Sequence, residues 1–239
     1  MRVAVLFSGG KDSTYTVWLL QHVGWEVVAL LTVRPSVPDS MLFHFPGINW
    51  TSMQAQALGI SHFVVEAERD ELTDFEDALV RLRDEQAING LATGAVASDY
   101  QKSRFDQVCD SAGLKSYSPL WHKNPKMILN DLVSAGFRTI MTGVAAMGLD
   151  QSWLGREMTE PVWSELAELS QRHGIHLSGE GGEYETFVVD APMFGAEIAI
   201  EESSKTWSGQ SGHLVIEKAS LRDKPGKRTL NADRYLFRV

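Results

Sequence analysis

The 239-residue chain contains a single cysteine, Cys109. That excludes an internal disulfide and a cysteine-built metal site, and a reducing cytoplasm is the compartment that fits. No apolar run approaches the roughly 18 residues that a membrane span needs. The start, Met1-Arg2-Val3-Ala4, enters an apolar strand pattern without the small-residue cleavage site of a secretory leader. Positive charge is also short: 22 Lys and Arg stand against 31 Asp and Glu, a net charge of −9. Such a field opposes non-specific contact with nucleic acid. The two commonest phosphate signatures, G-x-x-x-x-G-K-[ST] and G-x-G-x-x-G after a strand, are missing as well. Nothing repeats at a period of 20–50 residues. These absences leave an acidic, cytoplasmic, globular chain of one large domain or two small ones.

The first half alternates apolar runs with amphipathic stretches. Val3–Phe7 has the continuous apolar character of a strand buried on both faces. A glycine turn and a helix over about Ser13–Val23 follow, then a strand over Glu26–Val33, a helix over Thr51–Leu58 and a strand over His62–Ala67. Thr73 and Glu76 have capping-box spacing, predicting a helix to Gln86 with Thr73 as its N-cap. Leu91–Thr93 is a short strand, and Ser98 caps a helix to Ala112. This alternation predicts a parallel, doubly wound α/β sheet over residues 1–120.

From residue 121 the pattern changes to a smaller α+β domain, ending near 221. Helices are expected over Pro125–Ala135 and from Thr159 to His173, and strands over Arg138–Val144, His176–Ser178, Glu197–Glu201 and His213–Lys218. Residues 222–239 hold six Lys or Arg against two Asp and read as a solvated basic tail.

Four blocks carry chemistry. Ser8-Gly9-Gly10-Lys11-Asp12-Ser13 lies between the first strand and its helix, where a parallel sheet places a ligand. Its glycines permit close backbone approach to an anion, the helix N-terminus supplies amides, and Lys11, Ser8 and Ser13 add donors. Asp12 beside a phosphate makes sense with a divalent cation between them. A second block, Gly94–Arg104 (GAVASDYQKSR), lies at another strand end and so faces the same crevice. The third, Gly179–Phe187 (GEGGEYETF), packs three glutamates so closely that they call for a cation, a metal or an amine. The fourth, Ser40–Pro46, offers His44.

The hexapeptide resembles the pyrophosphate loop of the N-type ATP pyrophosphatases, which have a Rossmann-like PP-loop fold and cleave ATP to AMP and pyrophosphate. All the blocks together resemble one family, the diphthine–ammonia ligases, in its short, archaeal-type form. The match runs in order through SGGKDS (8–13), MLFH (41–44), GAVASDYQKSR (94–104), PLW (119–121), GLD (148–150), LGR (154–156) and GEGGEYETF (179–187). The resemblance implies ATP-dependent amidation, with ammonia, of diphthine on translation elongation factor 2. ATP and Mg²⁺ are the implied cofactors.

On that reading Ser8, Gly9, Gly10, Lys11, Asp12, Ser13 and Gly94 bind ATP, and Asp12 holds the metal, with Asp99 as a possible second carboxylate. Lys11, Asp12, Asp99, Glu183 and Glu185 are the expected catalytic residues. His44, Ser98, Asp99, Tyr100, Arg104 and Glu180 through Thr186 (Gly181, Gly182, Glu183, Tyr184 and Glu185 between them) are the expected substrate contacts. The glutamates' role in binding ammonium and taking its proton is argued from chemistry rather than from the signature. Cys109 lies mid-helix beside Phe105, Val108 and Ala112, so free ammonium rather than glutamine is the expected nitrogen source. A homodimer is expected only because symmetric dimers are the commonest oligomers. Two other readings stay open: a tRNA-thiolating enzyme with the same ATP chemistry, and a non-catalytic nucleotide-binding module.

Overall fold

Continuous apolar strands need a helical layer on each face, and the chain supplies both. The computed structural model describes residues 1–35, 42–43, 47–224 and 236–238. Strand β1 (Arg2–Leu6) leads into α1 (Lys11–His22), then β2 (Glu26–Pro35), α2 (Thr51–Leu58) and β3 (Ser61–Ala67). After α3 (Glu71–Gln86) come β4 (Gly90–Ala92), α4 (Asp99–Ser111) and β5 (Lys115–Tyr117). The strands are parallel in the order β3-β2-β1-β4-β5, so the winding direction reverses between β1 and β4. That reversal opens a crevice beyond the carboxyl ends of those two strands.

The two faces have separate cores. Val3, Val5, Phe7 and Leu30 pack with Val17 and Leu20 of α1 and Ala55 of α2. Ala4, Ala29, Leu31 and Val33 pack with Phe75, Leu79 and Leu82 of α3 and Phe105 and Val108 of α4. Alternation along β1 and β2 thus sends successive side chains into opposite layers, which is why neither strand has a polar face.

The second half builds α5 (Pro125–Ser134), β6 (Arg138–Val144), α6 (Glu160–His173), β7 (Tyr184–Asp190), β8 (Ala196–Ser208) and β9 (Ser211–Asp223). Its strands form an antiparallel sheet in the order β7-β6-β9-β8. Its core joins Ile128, Leu132, Met141, Trp163, Leu166 and Phe187 to Tyr15 of α1 and Ala57 of α2. The antiparallel unit therefore packs directly on the α1–α2 layer and not at the end of a linker.

Several sequence expectations change. Asp70, not Thr73, caps α3: its carboxylate accepts from the Thr73 amide and from the Thr73 hydroxyl, both at 3.0 Å. His176–Ser178 is a turn region and not a strand, because Glu183 and Tyr184 hold its backbone from the side. Within the glycine–glutamate block, Tyr184 onward is β7, a strand for which the sequence pattern gave no expectation. The basic end is not simply a tail. Strand β9 continues through Arg222 to Asp223, Lys224 donates to the Ala191 carbonyl at 2.9 Å, and β10 (Leu236–Arg238) adds parallel to β3 as a sixth strand. His44 lies outside the described residues.

Phe75 is fully buried, with ring centroids 5.5 Å from Phe43 and 6.0 Å from Phe105. Phe75→Ala should therefore cost about 3–5 kcal/mol of stability, a cavity-forming loss that urea unfolding will measure. A loss of under about 1 kcal/mol would show that this layer collapses around the void.

Candidate active site

A cavity of about 620 Å³ opens at the β1/β4 switch point, within the usual range for a small-molecule site. Its walls come from both halves of the chain: Ser8 and Gly10–Ser13 after β1, Thr93–Ala95, Ser98 and Tyr100 after β4, Gly143–Ala145 of β6 and its end, Ser178–Gly182, and Tyr184–Thr186 of β7.

The loop after β1 is shaped for an anion. Gly9 has φ +78°, and a Cβ there would sit 2.1 Å from Gln54 Oε1, so both conformation and space require glycine. Gly94 is constrained by space alone, since a Cβ on it would lie 2.8 Å from the Ser13 nitrogen. The Ser8 and Ser13 hydroxyls are 3.1 Å apart. The Lys11 amide donates to Thr186 Oγ1 at 3.1 Å, whereas the Asp12 and Ser13 amides meet no acceptor among the described residues. Two donors at a helix N-terminus are therefore available to a ligand.

Lys11 is not a solvated side chain. It is 3% exposed, and its Nζ donates to Asp12 Oδ2 and to the Ser178 carbonyl, both at 2.6 Å, while lying 5.3 Å from the Tyr184 ring centroid. Burial works against its charge, but Asp12, Tyr184 and Glu180 outweigh that and hold its pKa above the ordinary lysine value. Among the described residues, Asp12 Oδ1 is buried with no hydrogen-bond partner. An orphaned carboxylate oxygen facing a phosphate loop fits a divalent cation. No cluster of three or more His, Cys, Asp or Glu that could hold a metal occurs among the described residues. One carboxylate plus substrate phosphates is the usual way magnesium is held.

The three glutamates of the third block do different things. Glu180 Oε2 accepts from the amides of Val96, Ala97 and Ser98 at 3.1, 2.9 and 3.2 Å, which places its charge on the N-terminal end of α4. Glu183, one of the expected catalytic residues, lies apart from the other two. Its two oxygens accept from the His176 and Gly181 amides, each at 2.8 Å, and it does not line the cavity. Glu185 does line it, half-buried beside Gly143 and His213. Burial pushes its carboxyl up to about 7; Lys11 opposes the rise, and Asp12 and Glu180 add to it.

The second block divides as well. Ser98 caps α4, with its hydroxyl accepting from the Gln101 amide, and it lines the cavity, as does Tyr100, which is 40% exposed. Asp99 is exposed on the first turn of α4 and lies outside the lining. Arg104 also stands outside, its guanidinium stacked 3.5 Å from the Tyr100 ring centroid, so it supports that ring rather than the cavity. Gln54, Gly143, Ser211 and His213 bear on the site without having been anticipated. Only Gln54 had a sequence signal: it is the polar member of the Thr51, Gln54, Ala55 stripe at helical spacing.

The geometry agrees with what the chain resembles. The family models for the diphthamide synthase N-terminal and C-terminal domains match residues 1–116 and 124–221. The diphthine–ammonia ligase of Mus musculus is 33% identical over 85% of this chain and 84% of its own length. The chain belongs to the diphthine–ammonia ligase family. The diphthine–ammonia ligase of Danio rerio is 32% identical over 96% of this chain and 100% of its own, so length does not separate an archaeal form of this family from vertebrate relatives. The crystal structure of a predicted tRNA methyltransferase subunit from Methanocaldococcus jannaschii covers 80% of this chain and 98% of its own at 21% identity, with a TM-score of 0.44. No described helix of this family member is long and apolar enough to cross a membrane.

The raised Glu185 carboxyl has a definite consequence for stability. As pH rises through the ordinary carboxylate range, near 4.5, the unfolded chain ionises while the folded chain stays protonated to about 7. Stability contributed by the neutral carboxyl is thus lost across that window as pH rises. Glu185→Gln should stabilise the fold more at about pH 8 than at about pH 5, by on the order of 1–2 kcal/mol after allowance for water in the cavity, as urea unfolding at the two pH values will measure. An equal effect at both pH values would show that the wall does not hold this carboxyl neutral.

Proposed function

We propose that this chain activates a carboxylate with ATP and converts it to an amide with ammonia, and that the acceptor is diphthine on translation elongation factor 2. The observation that carries this reading is the shared cavity, in which a phosphate-binding loop faces a carboxylate held near neutrality. The family supports the reaction class, since its curated members are diphthine–ammonia ligases. The cytoplasm, where translation takes place, is the corresponding compartment.

Hydroxide is a poor leaving group, so the carboxylate must first be activated. An acceptor oxygen attacks the α-phosphorus, the bond to the β-phosphate bridge breaks, and pyrophosphate departs. Its developing charge falls within reach of the Asp12 and Ser13 amides, the Ser8 and Ser13 hydroxyls and Lys11. Magnesium, when bound, would lower the phosphate charge, with Asp12 as its ligand from this chain. Ammonia then attacks the acyl-adenylate carbon and AMP leaves. Ammonium must give up a proton before the nitrogen can attack, and Glu185, with its carboxyl pushed up to about 7, is the base suited to take it at neutral pH.

Cys109 supports free ammonium as the nitrogen source. It is fully buried, and burial pushes its thiol up to about 12. That environment suits neither a glutaminase nucleophile nor a persulfide carrier, which weighs against the thiolating alternative. A non-catalytic module would have no use for Glu185.

The decisive assay combines the protein, ATP, ammonium and elongation factor 2 bearing diphthine, and follows AMP and acceptor mass. Amide and AMP in equal amounts are expected, and an unchanged acceptor would overturn the assignment. In the same assay Lys11→Ala should lower the rate roughly 10²–10³-fold. Breaking its buried pair with Asp12 also costs about 3–5 kcal/mol, so folding must be checked alongside. Glu185→Gln should keep ATP affinity while amide yield falls at least about tenfold. Cys109→Ser should keep full ammonium-dependent activity, and glutamine alone should support none.

A further inference from the structure

An anion-binding loop has a cost on its other side. When successive amides turn toward a ligand, the intervening carbonyls point into the protein, where each needs a donor. The Gly9 carbonyl is such a group. It accepts from the Val188 amide at 3.1 Å and from Gln54 Nε2 at 2.8 Å. Gln54 is fully buried on α2, and the same Nε2 also donates to the Val188 carbonyl at 2.8 Å. One side-chain amide therefore fixes the phosphate loop and β7 relative to each other. Thr186, two residues before Val188, receives the Lys11 amide, and Glu185 is the next residue back.

We infer that Gln54 is a positioning residue for the nucleotide: it anchors the Gly9 carbonyl so that the loop amides face the phosphates, and it keeps Glu185 in register with that loop. This rests on the phosphate-loop part of the proposed reaction and on no assumption about the acceptor. Gln54 touches neither nucleotide nor acceptor, and it is not among the residues lining the cavity. Among the described residues its Oε1 is buried without a partner. Only the two donated bonds hold the amide, and no apolar side chain can replace them.

Gln54→Met keeps the length and volume of the side chain and removes both donors. Thr51→Val is the matched control. Thr51 is a buried residue of the same helix, and the change removes its 2.7 Å part-buried bond to the Ile48 carbonyl without touching the loop. Calorimetric titration with ATP and magnesium, at a temperature where thermal melting shows both variants folded, measures the loop directly. Gln54→Met should bind ATP about tenfold or more weakly, as expected for a lost buried bond, whereas Thr51→Val should bind like the unaltered protein. In turnover assays Gln54→Met should also form more AMP per amide than the unaltered protein, because Glu185 is no longer in register. Wild-type ATP affinity in a folded Gln54→Met protein would overturn the inference. So would equal weakening by Thr51→Val, which would reduce Gln54 to general stability of α2. Failure of the unaltered protein to bind ATP would instead remove the phosphate-loop reading itself. Should Gln54→Met not fold, Gln54→Glu retains the side chain's shape but turns a carboxylate oxygen toward the two carbonyls. It is judged by the same affinity criterion.

Discussion

A buried ammonium is the point on which the two halves of the chain converge. Lys11 belongs to the parallel-sheet half, yet its Nζ is satisfied by Asp12 from its own loop and by the Ser178 carbonyl from the other half. Its backbone amide is satisfied by Thr186 of β7. A charge removed from water has to find such partners, because an unpaired buried ion costs several kcal/mol. The position of β7 and of the turn before it is therefore tied to the loop, and the cavity between them takes its shape from that tie. Glu180 adds a second tie on the far side, holding the turn to the N-terminus of α4.

The doubly wound half was legible because its signals are local and redundant. Val3–Phe7 is apolar on both faces, Gly24 and Gly59 close their helices with positive φ, and Ser98 caps α4, all features visible in sequence. The second half was less so. Its β7 begins inside a glycine–glutamate run that shows no strand pattern, just as three-residue β5 in the first half has no periodicity to detect. The alternating stretches Glu197–Glu201 and His213–Lys218 mark only parts of two 13-residue strands, because most of outer β8 faces solvent on both sides and carries no burial pattern. Capping at α3 shows a finer limit. Asp70 and Thr73 both suit an N-cap, and only the backbone, extended at Asp70, decides between them.

The site shows the same division between what a motif says and what three dimensions decide. The loop and the Gly94–Arg104 block were expected to face one crevice; parts of both line the same cavity, and the glycine–glutamate block joins them there. What the sequence could not apportion was the work of three similar glutamates. Glu183 lies just before β7 and its carboxylate closes the turn on the turn's own amides, whereas Glu185 lies within β7 and lines the cavity. The cap and helix α4 contribute Ser98, Tyr100, Gln101 and Phe105 to the lining, while Asp99 stays exposed and Arg104 stacks on Tyr100 instead. Gln54 is far from every motif, and its function follows only from the carbonyls it meets.

Charge explains why the remaining carboxylate matters. Among the described residues lining the cavity, one cation, Lys11, stands against the carboxyl groups of Asp12, Glu180 and Glu185. Asp12 is paired with Lys11, and Glu180 is hydrogen-bonded by three amides at a helix N-terminus. Glu185 has neither kind of partner, and burial first, with Asp12 and Glu180 adding against the opposing Lys11, pushes its carboxyl up to about 7. An unscreened anionic wall would repel a polyphosphate and attract a small cation, so the cavity is suited to a nucleotide only when cations accompany it. A carboxyl group that is neutral half the time at physiological pH can host an ammonium ion and release ammonia after taking one proton. In the proposed reaction the acidity of the whole chain, unfavourable for a phosphate ligand in general, is thus overcome locally by backbone amides and used locally by one glutamate.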